Sequence, residues 1–410
     1  MMVSNKANQN YINQNQEEKN AMSIKLPVYL DYNATTPVDE RVLDAMLPYF
    51  REHFGNAAST THRFGGIAHT AVSKARRQIA QLINASPEEI IFTSGATESD
   101  NIALFGVAER YAAKGDHIIT SVTEHKAVLD AAHRLEQQGK HVTFLPVDRY
   151  GQVDPDAVRK AITPRTILIS LMAANNEIGT LAPLKEIGAI AREHEVLFHT
   201  DAAQYAGHLP LDVEEFNLDL VSISAHKIYG PKGIGALYVR RTNRRVEVAP
   251  VIYGGGHEQG IRSGTLNVPA IVGFGAAAEL SRLEQKEEAE RLRHYTRQIL
   301  YKLQSELEGV ELNGHPTARL PHNLNVSVQG IRSGQVLATL EDLAISAGSA
   351  CNTANPRPSY VICALGYGEE RALSSLRISV GRPTTLSEVS YATARLVETL
   401  RSLQQLALVA

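Results

Sequence analysis

Residues 219–239 read DLVSISAHKIYGPKGIGALYV. Two short runs rich in Val, Ile, Leu and Tyr, 219–224 and 235–239, flank a polar turn that carries Ser224, His226 and Lys227. Such runs, bounded by Gly and Pro, read as strands. Lys227 lies just past an apolar strand, a context that tends to bury it. Burial favours the neutral amine, which is the nucleophilic form. The alternative for an isolated lysine at a strand end is a side chain that snorkels to water.

Toward the N-terminus the same texture repeats. Strand-like runs occur at 89–95, 117–121, 141–147, 166–174 and 196–201, and helical stretches at 67–83, 98–113, 126–138, 155–161 and 184–194 lie between them. Alternation of this kind builds a largely parallel sheet with helices on both faces. The expected fold class is therefore α/β: a large domain around a mostly parallel seven-stranded sheet. After residue 275 the pattern changes to a long charged helical stretch over 276–307, strands at 323–328 and 376–380, and a last helix near 387–406, read as a smaller α+β domain. The expected division is a tail at 1–22, a large domain at 23–275 whose first residues pack with the small one, and a small domain at 276–410. Residues 1–21 are crowded with Asn and Gln and read as a disordered tail without a secretory or transit signal.

Composition narrows the function. The 410 residues are 43% apolar and 21% charged, which excludes a disordered chain, a coiled coil and a collagen. With 41 basic against 44 acidic residues, nothing points to a nucleic-acid or membrane-surface partner. The longest apolar run, around 167–174, is far short of the roughly 20 residues of a membrane span. Two cysteines, Cys351 and Cys363, exclude a disulfide framework and fit a reducing, cytoplasmic setting.

Ligands of open α/β sheets bind beyond the carboxyl ends of the strands, so the polar residues there are the candidates. After 89–93 comes Ser94-Gly95-Ala96-Thr97-Glu98, opening a helix whose first N–H groups can hold a phosphate; the plainer reading is a helix capped by Ser94 or Thr97. His125 follows the next strand, Asn175 and Asn176 the one at 166–174, and Asp201 and Gln204 the one at 196–201. A carboxylate at the end of an apolar strand needs a partner, and a protonated ring nitrogen or an arginine would serve. Taken together, a lysine, a carboxylate and an anion site at the ends of one sheet match what pyridoxal 5'-phosphate requires. No HExxH or Cys/His ligand spacing competes.

Two further stretches stand out. The glycine-rich run at 254–265, with Arg262 and Thr265, reads equally as an anion-binding loop or a mobile surface loop. The run at 346–358 surrounds Cys351 with small and turn residues, whereas Cys363 has the apolar neighbours of a core thiol. An exposed loop thiol is a liability unless it is used.

These motifs resemble the NifS/IscS family of cysteine desulfurases, of the class V aminotransferase superfamily and the type I fold of pyridoxal-phosphate enzymes. The resemblance rests on YLDYNATTP at 29–37, FTSGATESDN at 92–101, TEHKAVL at 123–129, NNEIGT at 175–180, HTDAAQ at 199–204, SAHKIYGPKGIGALYVR at 224–240, GGGHEQGIRSGT at 254–265 and GSACNTA at 348–354, and it runs from about Leu26 to the last helix. It implies a homodimer that turns L-cysteine into L-alanine. Lys227 would bond the cofactor aldehyde, Asp201 pair with the ring nitrogen, Gln204 contact the ring oxygen and His125 stack over the ring. Ala96, Thr97, Ser224 and His226 would hold the phosphate, with Thr265 reaching in from the partner subunit. Asn176 would lie near ring and substrate, and Arg377, with Asn33 nearby, would clamp the substrate carboxylate. Cys351 would take up the sulfur as a persulfide and hand it to an acceptor such as an iron–sulfur scaffold, where it would also meet a shared cluster metal. Housekeeping members often carry a C-terminal extension beyond the point where this chain stops, so a general and a specialised acceptor both fit. The runner-up readings are a selenocysteine lyase or another class V enzyme, which would not need Cys351, and a non-catalytic platform, which would not need Lys227 and Asp201.

Overall fold

A computed structural model describes residues 24–347 and 358–409. Seven strands form the main sheet: β2 (Ile90–Thr93), β3 (His117–Ser121), β4 (His141–Leu145), β5 (Thr166–Ser170), β6 (Leu197–Asp201), β7 (Leu220–Ser224) and β8 (Gly235–Val239), in the order β2-β8-β7-β6-β5-β3-β4. Only β8 runs against its neighbours. Its connection from β7 is too short for the crossover that a parallel pairing needs, so an antiparallel return is what the chain length permits.

Both faces of this sheet are covered. Ile90, Phe92, Ile119, Ile169, Phe198, Val221 and Ile223 point into one apolar core, while Ile91, Ile118, Leu168, Leu197, Leu220 and Leu237 point into another on the opposite face. That is the period-two alternation of a strand, apolar on both sides. The second core is closed by α4 (Ala96–Arg110) and α5 (Lys126–Gln137), through Ile102, Val107, Val128 and Leu135. The first is closed by α3 (Arg63–Leu82) and α7 (Leu184–Glu193), through Val72, Ile79, Leu184 and Ile187. The shorter helices α1 (Glu40–Met46), α2 (Pro48–Arg51) and α6 (Pro155–Ala161) lie in between in the chain.

Helix α8 (Val268–Glu306) is longer than the charged stretch that announces it. The Asn267 side chain accepts from the Ala270 N–H, and Pro269 sits in the first turn, so the helix starts on small apolar residues. Its first half buries Ile271, Phe274 and Ala278 in the main core; its second half buries Leu292, Ile299 and Leu303 in a separate core. Residue 275, where the sequence divides by texture, falls inside this continuous helix.

That separate core belongs to a four-stranded antiparallel sheet of order β12-β13-β10-β9, built from β9 (Val310–Leu312), β10 (Asn323–Val328), β12 (Ser346–Ala347) and β13 (Ser375–Ser379). Beside it β1 (Val28–Tyr29) pairs in parallel with β11 (Leu343–Ala344), and Val28 and Leu30 enter the same core. The final helix α12 (Leu386–Val409) seals it with Val389, Leu396 and Leu400. The short helices α9 (Ser333–Thr339), α10 (Tyr360–Ala364) and α11 (Gly368–Leu373) complete this part. Among the described residues no helix is long and apolar enough to cross a membrane.

Candidate active site

The ends of β2, β6 and β7, the residues after β5 and the start of α5 converge on one cavity of about 630 Å3. Its lining includes Asn33, Ala96, Thr97, His125, Asn176, Asp201, Gln204, Ser224, His226, Lys227 and Arg377. Eleven residues singled out from sequence are thus brought together. Thr265 does not line the cavity of its own chain and is exposed. Cys351 and the segment around it lie outside the described residues.

Lys227 follows β7 on a single helical turn, Ala225–Lys227. Its Nζ donates to the carbonyl oxygens of Asn33, at 2.6 Å, and Ala34, at 2.8 Å. Burial, helped by the nearby Arg377 charge, brings its pKa down to about 8. The amine is therefore easily freed of its proton, as the sequence context implies.

Asp201 is the last residue of β6 and is buried. One of its oxygens accepts from the Ala203 N–H at 2.9 Å. Burial raises its pKa, so a cationic ring N–H entering the cavity would be a favourable partner for its carboxylate. Gln204 is locked to Asn33 twice: its Oε1 accepts from Asn33 Nδ2 at 2.8 Å and its Nε2 donates to the Asn33 carbonyl at 2.9 Å. His125 caps α5 by accepting the Ala127 N–H on Nδ1, at 3.2 Å, which leaves Nε2 as its outer edge.

The start of α4 behaves differently from a simple cap. Neither Ser94 nor Thr97 caps it with a side chain; Gly95 occupies the cap position. The Glu98 carboxylate instead accepts from the Ser94 N–H and is held by Arg262 at 2.8 Å. Arg262 is thereby committed to Glu98 and is not a free anion ligand of the glycine-rich run. The same run places Glu258 against Arg76 and the Phe92 N–H. The start of α4 lines the same cavity as Ser224 and His226, and its free N–H groups with their side chains suit a phosphate. His226 bonds Thr35 Oγ1 through Nδ1 at 3.1 Å, and burial with the neighbouring Lys227 lowers its pKa to about 4. It therefore offers an N–H rather than a charge.

Pyridoxal 5'-phosphate fits this donor set. A nucleophilic amine, a buried carboxylate with an oxygen to spare and an uncapped helix start line one cavity, and beside them a buried Asn176 Oδ1 has no hydrogen-bond partner among the described residues. Among the described residues no group of three or more His, Cys, Asp or Glu could hold a metal ion.

Arg377, on β13, reaches the cavity from the smaller sheet. It donates to the Asn176 carbonyl at 3.0 Å and to Asp31 Oδ1 at 2.8 Å, and its buried Nε–H has no partner among the described residues. Sequence reasoning assigns nothing to Asp31, Asp100, Glu124 or Glu177. Asp31 lies in the quoted stretch 29–37, and Glu124 and Glu177 sit next to assigned residues, so position is the available signal. Glu124 is fully buried, accepts from Ser121 Oγ at 2.8 Å and the Met172 N–H at 2.9 Å, and is pushed by burial up to about 8. Glu177 is pushed by burial up to about 7 and accepts a short hydrogen bond from Ser359. Asp100 is fully buried, 3.6 Å from His199 Nε2, and burial together with the nearby Asp201 charge raises its pKa well above the ordinary aspartate value. Cys363, read as a core thiol, is half-buried at the margin of a small cluster around Val361, Ile362 and Leu365.

Comparison with known proteins agrees with this geometry. Residues 28–391 match the family model described as aminotransferase class-V. The chain is 53% identical over 383 residues to the cysteine desulfurase IscS of Anaeromyxobacter sp. (strain Fw109-5), covering 93% of this chain and 95% of that one. Among solved structures, a NifS-like protein superposes with a TM-score of 0.84 at 37% identity, covering 92% of this chain and 99% of its own. SspA in complex with cysteine superposes with a TM-score of 0.78 at 39% identity, covering 86% of this chain and 99% of its own. A lysine, a carboxylate and an anion cradle at the strand ends of one sheet, in a sequence this close to those relatives, place the chain in the class V aminotransferase family of pyridoxal-phosphate enzymes, among its cysteine desulfurases.

Proposed function

We propose that this cysteine desulfurase converts L-cysteine to L-alanine and passes the sulfur, as a persulfide on Cys351, to an acceptor for iron–sulfur cluster or other thio-cofactor assembly. The observation that carries the reading is the buried Lys227 amine in the same cavity as Asp201 and Arg377.

Bound pyridoxal 5'-phosphate supplies an aldehyde that condenses with amines and a ring that accepts electron density from bonds broken at Cα. Lys227 would hold it through Nζ, Asp201 would pair with its ring nitrogen, Gln204 would contact its ring oxygen, and Ala96, Thr97, Ser224 and His226 would hold its phosphate. Thr265 of a second copy would complete that cradle in a homodimer. Arg377, with Asn33 and Asn176, receives the substrate carboxylate; a guanidinium fork suits a bidentate carboxylate. The neutral Lys227 amine takes the Cα proton, and His125 manages the proton of the substrate thiol. The Cys351 thiolate attacks the substrate sulfur: an S–S bond forms, the C–S bond breaks, and the carbon left behind is protonated to alanine. Cysteine and one enzyme thiol thus give alanine and one enzyme persulfide, with atoms balanced and no external oxidant.

The division at 275–276 then separates a part that holds the cofactor, 23–275, from a part that brings the thiol, 276–410. A persulfide is lost to oxidation, so the cytoplasm is the fitting compartment. Purified protein should show the yellow cofactor and release sulfide and alanine from L-cysteine in step. Colourless protein that pyridoxal 5'-phosphate cannot reconstitute would overturn the reading.

A further inference from the structure

Arg377 cannot choose its own orientation. A guanidinium carries five N–H donors on a long side chain, and a carboxylate clamp needs one edge of that fork turned to the ligand. Two of the five are already committed: one on Nη1 to the Asn176 carbonyl at 3.0 Å and one on Nη2 to Asp31 Oδ1 at 2.8 Å. The Nε–H is buried and has no partner among the described residues. The group is 3% exposed, so an unmade hydrogen bond there is costly and points to a ligand.

Asp31 is itself fixed from several sides. Its other oxygen, Oδ2, accepts from Ser346 Oγ at 2.7 Å. Ser346 lies directly opposite Arg377 in the β12–β13 pairing. The backbone of Asp31 bridges Ser379, two residues beyond Arg377 on the same strand, and its carbonyl accepts from the Tyr29 hydroxyl at 3.0 Å. A single carboxylate thus joins β12 and β13 at the register position of the arginine. It also balances a buried cation that sits near a second one, Lys227.

We propose that Asp31 is the positioning residue of the substrate-carboxylate site: it holds the Arg377 fork with its free edge toward the cavity. The inference rests on the reading of Arg377 as the carboxylate clamp. Asp31 does not touch the reacting atoms, so its removal weakens the binding of amino acids through their carboxylate and leaves the chemical step nearly intact.

The test uses the holoenzyme. Steady-state sulfide release from L-cysteine gives KM and kcat, and a spectrophotometric titration with L-alanine, which carries the same carboxylate and no thiol, gives Kd. Asp31→Ala should raise both KM and the alanine Kd tenfold or more with kcat within threefold of the parent. Asp31→Asn, which keeps an oxygen for Arg377 Nη2, should recover both constants to within threefold. KM and Kd within twofold of the parent in Asp31→Ala would overturn the proposal, as would a loss of kcat with Kd unchanged. If Asp31→Ala does not keep its cofactor absorbance, Asp31→Leu, which fills the space and offers Arg377 Nη2 no oxygen, carries the same tenfold expectation, and unchanged constants there overturn the proposal. Arg377→Lys separates the two readings. If it leaves KM and Kd unchanged, the clamp reading fails; if it raises both while Asp31→Ala does not, only the positioning role fails.

Discussion

The Nζ of Lys227 donates to the backbone carbonyl of Asn33 across 2.6 Å, so the segment before α1 and the turn after β7 meet at the amine. Carbonyls stabilise an ammonium only in part, and burial outweighs them: the pKa falls to about 8. Covalent uptake of pyridoxal 5'-phosphate needs the neutral amine. Its rate in the apoprotein should therefore rise about tenfold per pH unit well below pH 8 and level off above it. Stopped-flow absorbance between pH 6 and 9 measures this. A flat profile would contradict the assignment, and Lys227→Ala should show no covalent uptake after borohydride treatment.

Gly235 begins β8, where the backbone of Gly95 approaches closely. A Cβ at residue 235 would meet Gly95 Cα at 2.6 Å and the Ile223 carbonyl at 2.6 Å, both backbone atoms that cannot swing away. Gly235→Ala should push the start of α4 outward, weaken cofactor retention at least tenfold, and cost about 1–3 kcal/mol of stability. Gly334, exposed in α9, is the control, because a methyl group there would enter open space. Gly334→Ala should leave cofactor affinity unchanged and add up to about 1 kcal/mol. Equilibrium dialysis and urea titration read both effects.

Glu124 gives a pH signature. Its folded pKa of about 8 lies above that of an ordinary glutamate, because burial disfavours the charge. The folded state then binds more protons than the unfolded state between about pH 4.5 and 8. Stability from this group is full below that window and is lost as pH rises through it. Glu124→Gln removes the titration while keeping an oxygen for Ser121 and Met172. Urea titrations should show the parent losing on the order of 4 kcal/mol relative to Glu124→Gln from about pH 5 to about pH 8.5. A constant difference across that range would contradict the burial argument.

Much of this is legible in the sequence alone. The strands of the main sheet appear as β-rich runs because both faces are apolar, and Lys227, Asp201 and the start of α4 stand out because strand ends are where polar residues gather. Other features leave no local trace. The start of α8 at Val268 is small and apolar, without the charges that mark the rest of the helix. Asp31 meets Arg377 only through pairing of strands more than 300 residues apart in the chain, and Arg262 looks like a free anion ligand until Glu98 is seen to hold it. Glu124 and Glu177 read as ordinary polar residues because their effect comes from burial. Arg377 itself enters through the family resemblance, since nothing around 375–379 signals a carboxylate clamp.

The two cysteines decide whether sulfur passes through the protein's own thiol. Cys363 lies half-buried on α10, while Cys351 belongs to the segment 348–357, outside the described residues. The decisive experiment is sulfide release from L-cysteine by Cys351→Ala and Cys363→Ala, each first checked for intact cofactor absorbance. Cys351→Ala should stay yellow but release less than about one hundredth of the parent sulfide, and Cys363→Ala should keep at least about half of it, a rate ratio worth roughly 2–3 kcal/mol or more at the transition state. Sulfide release at the parent rate from yellow Cys351→Ala would contradict transfer through Cys351 and mark the protein as a lyase that needs no thiol of its own.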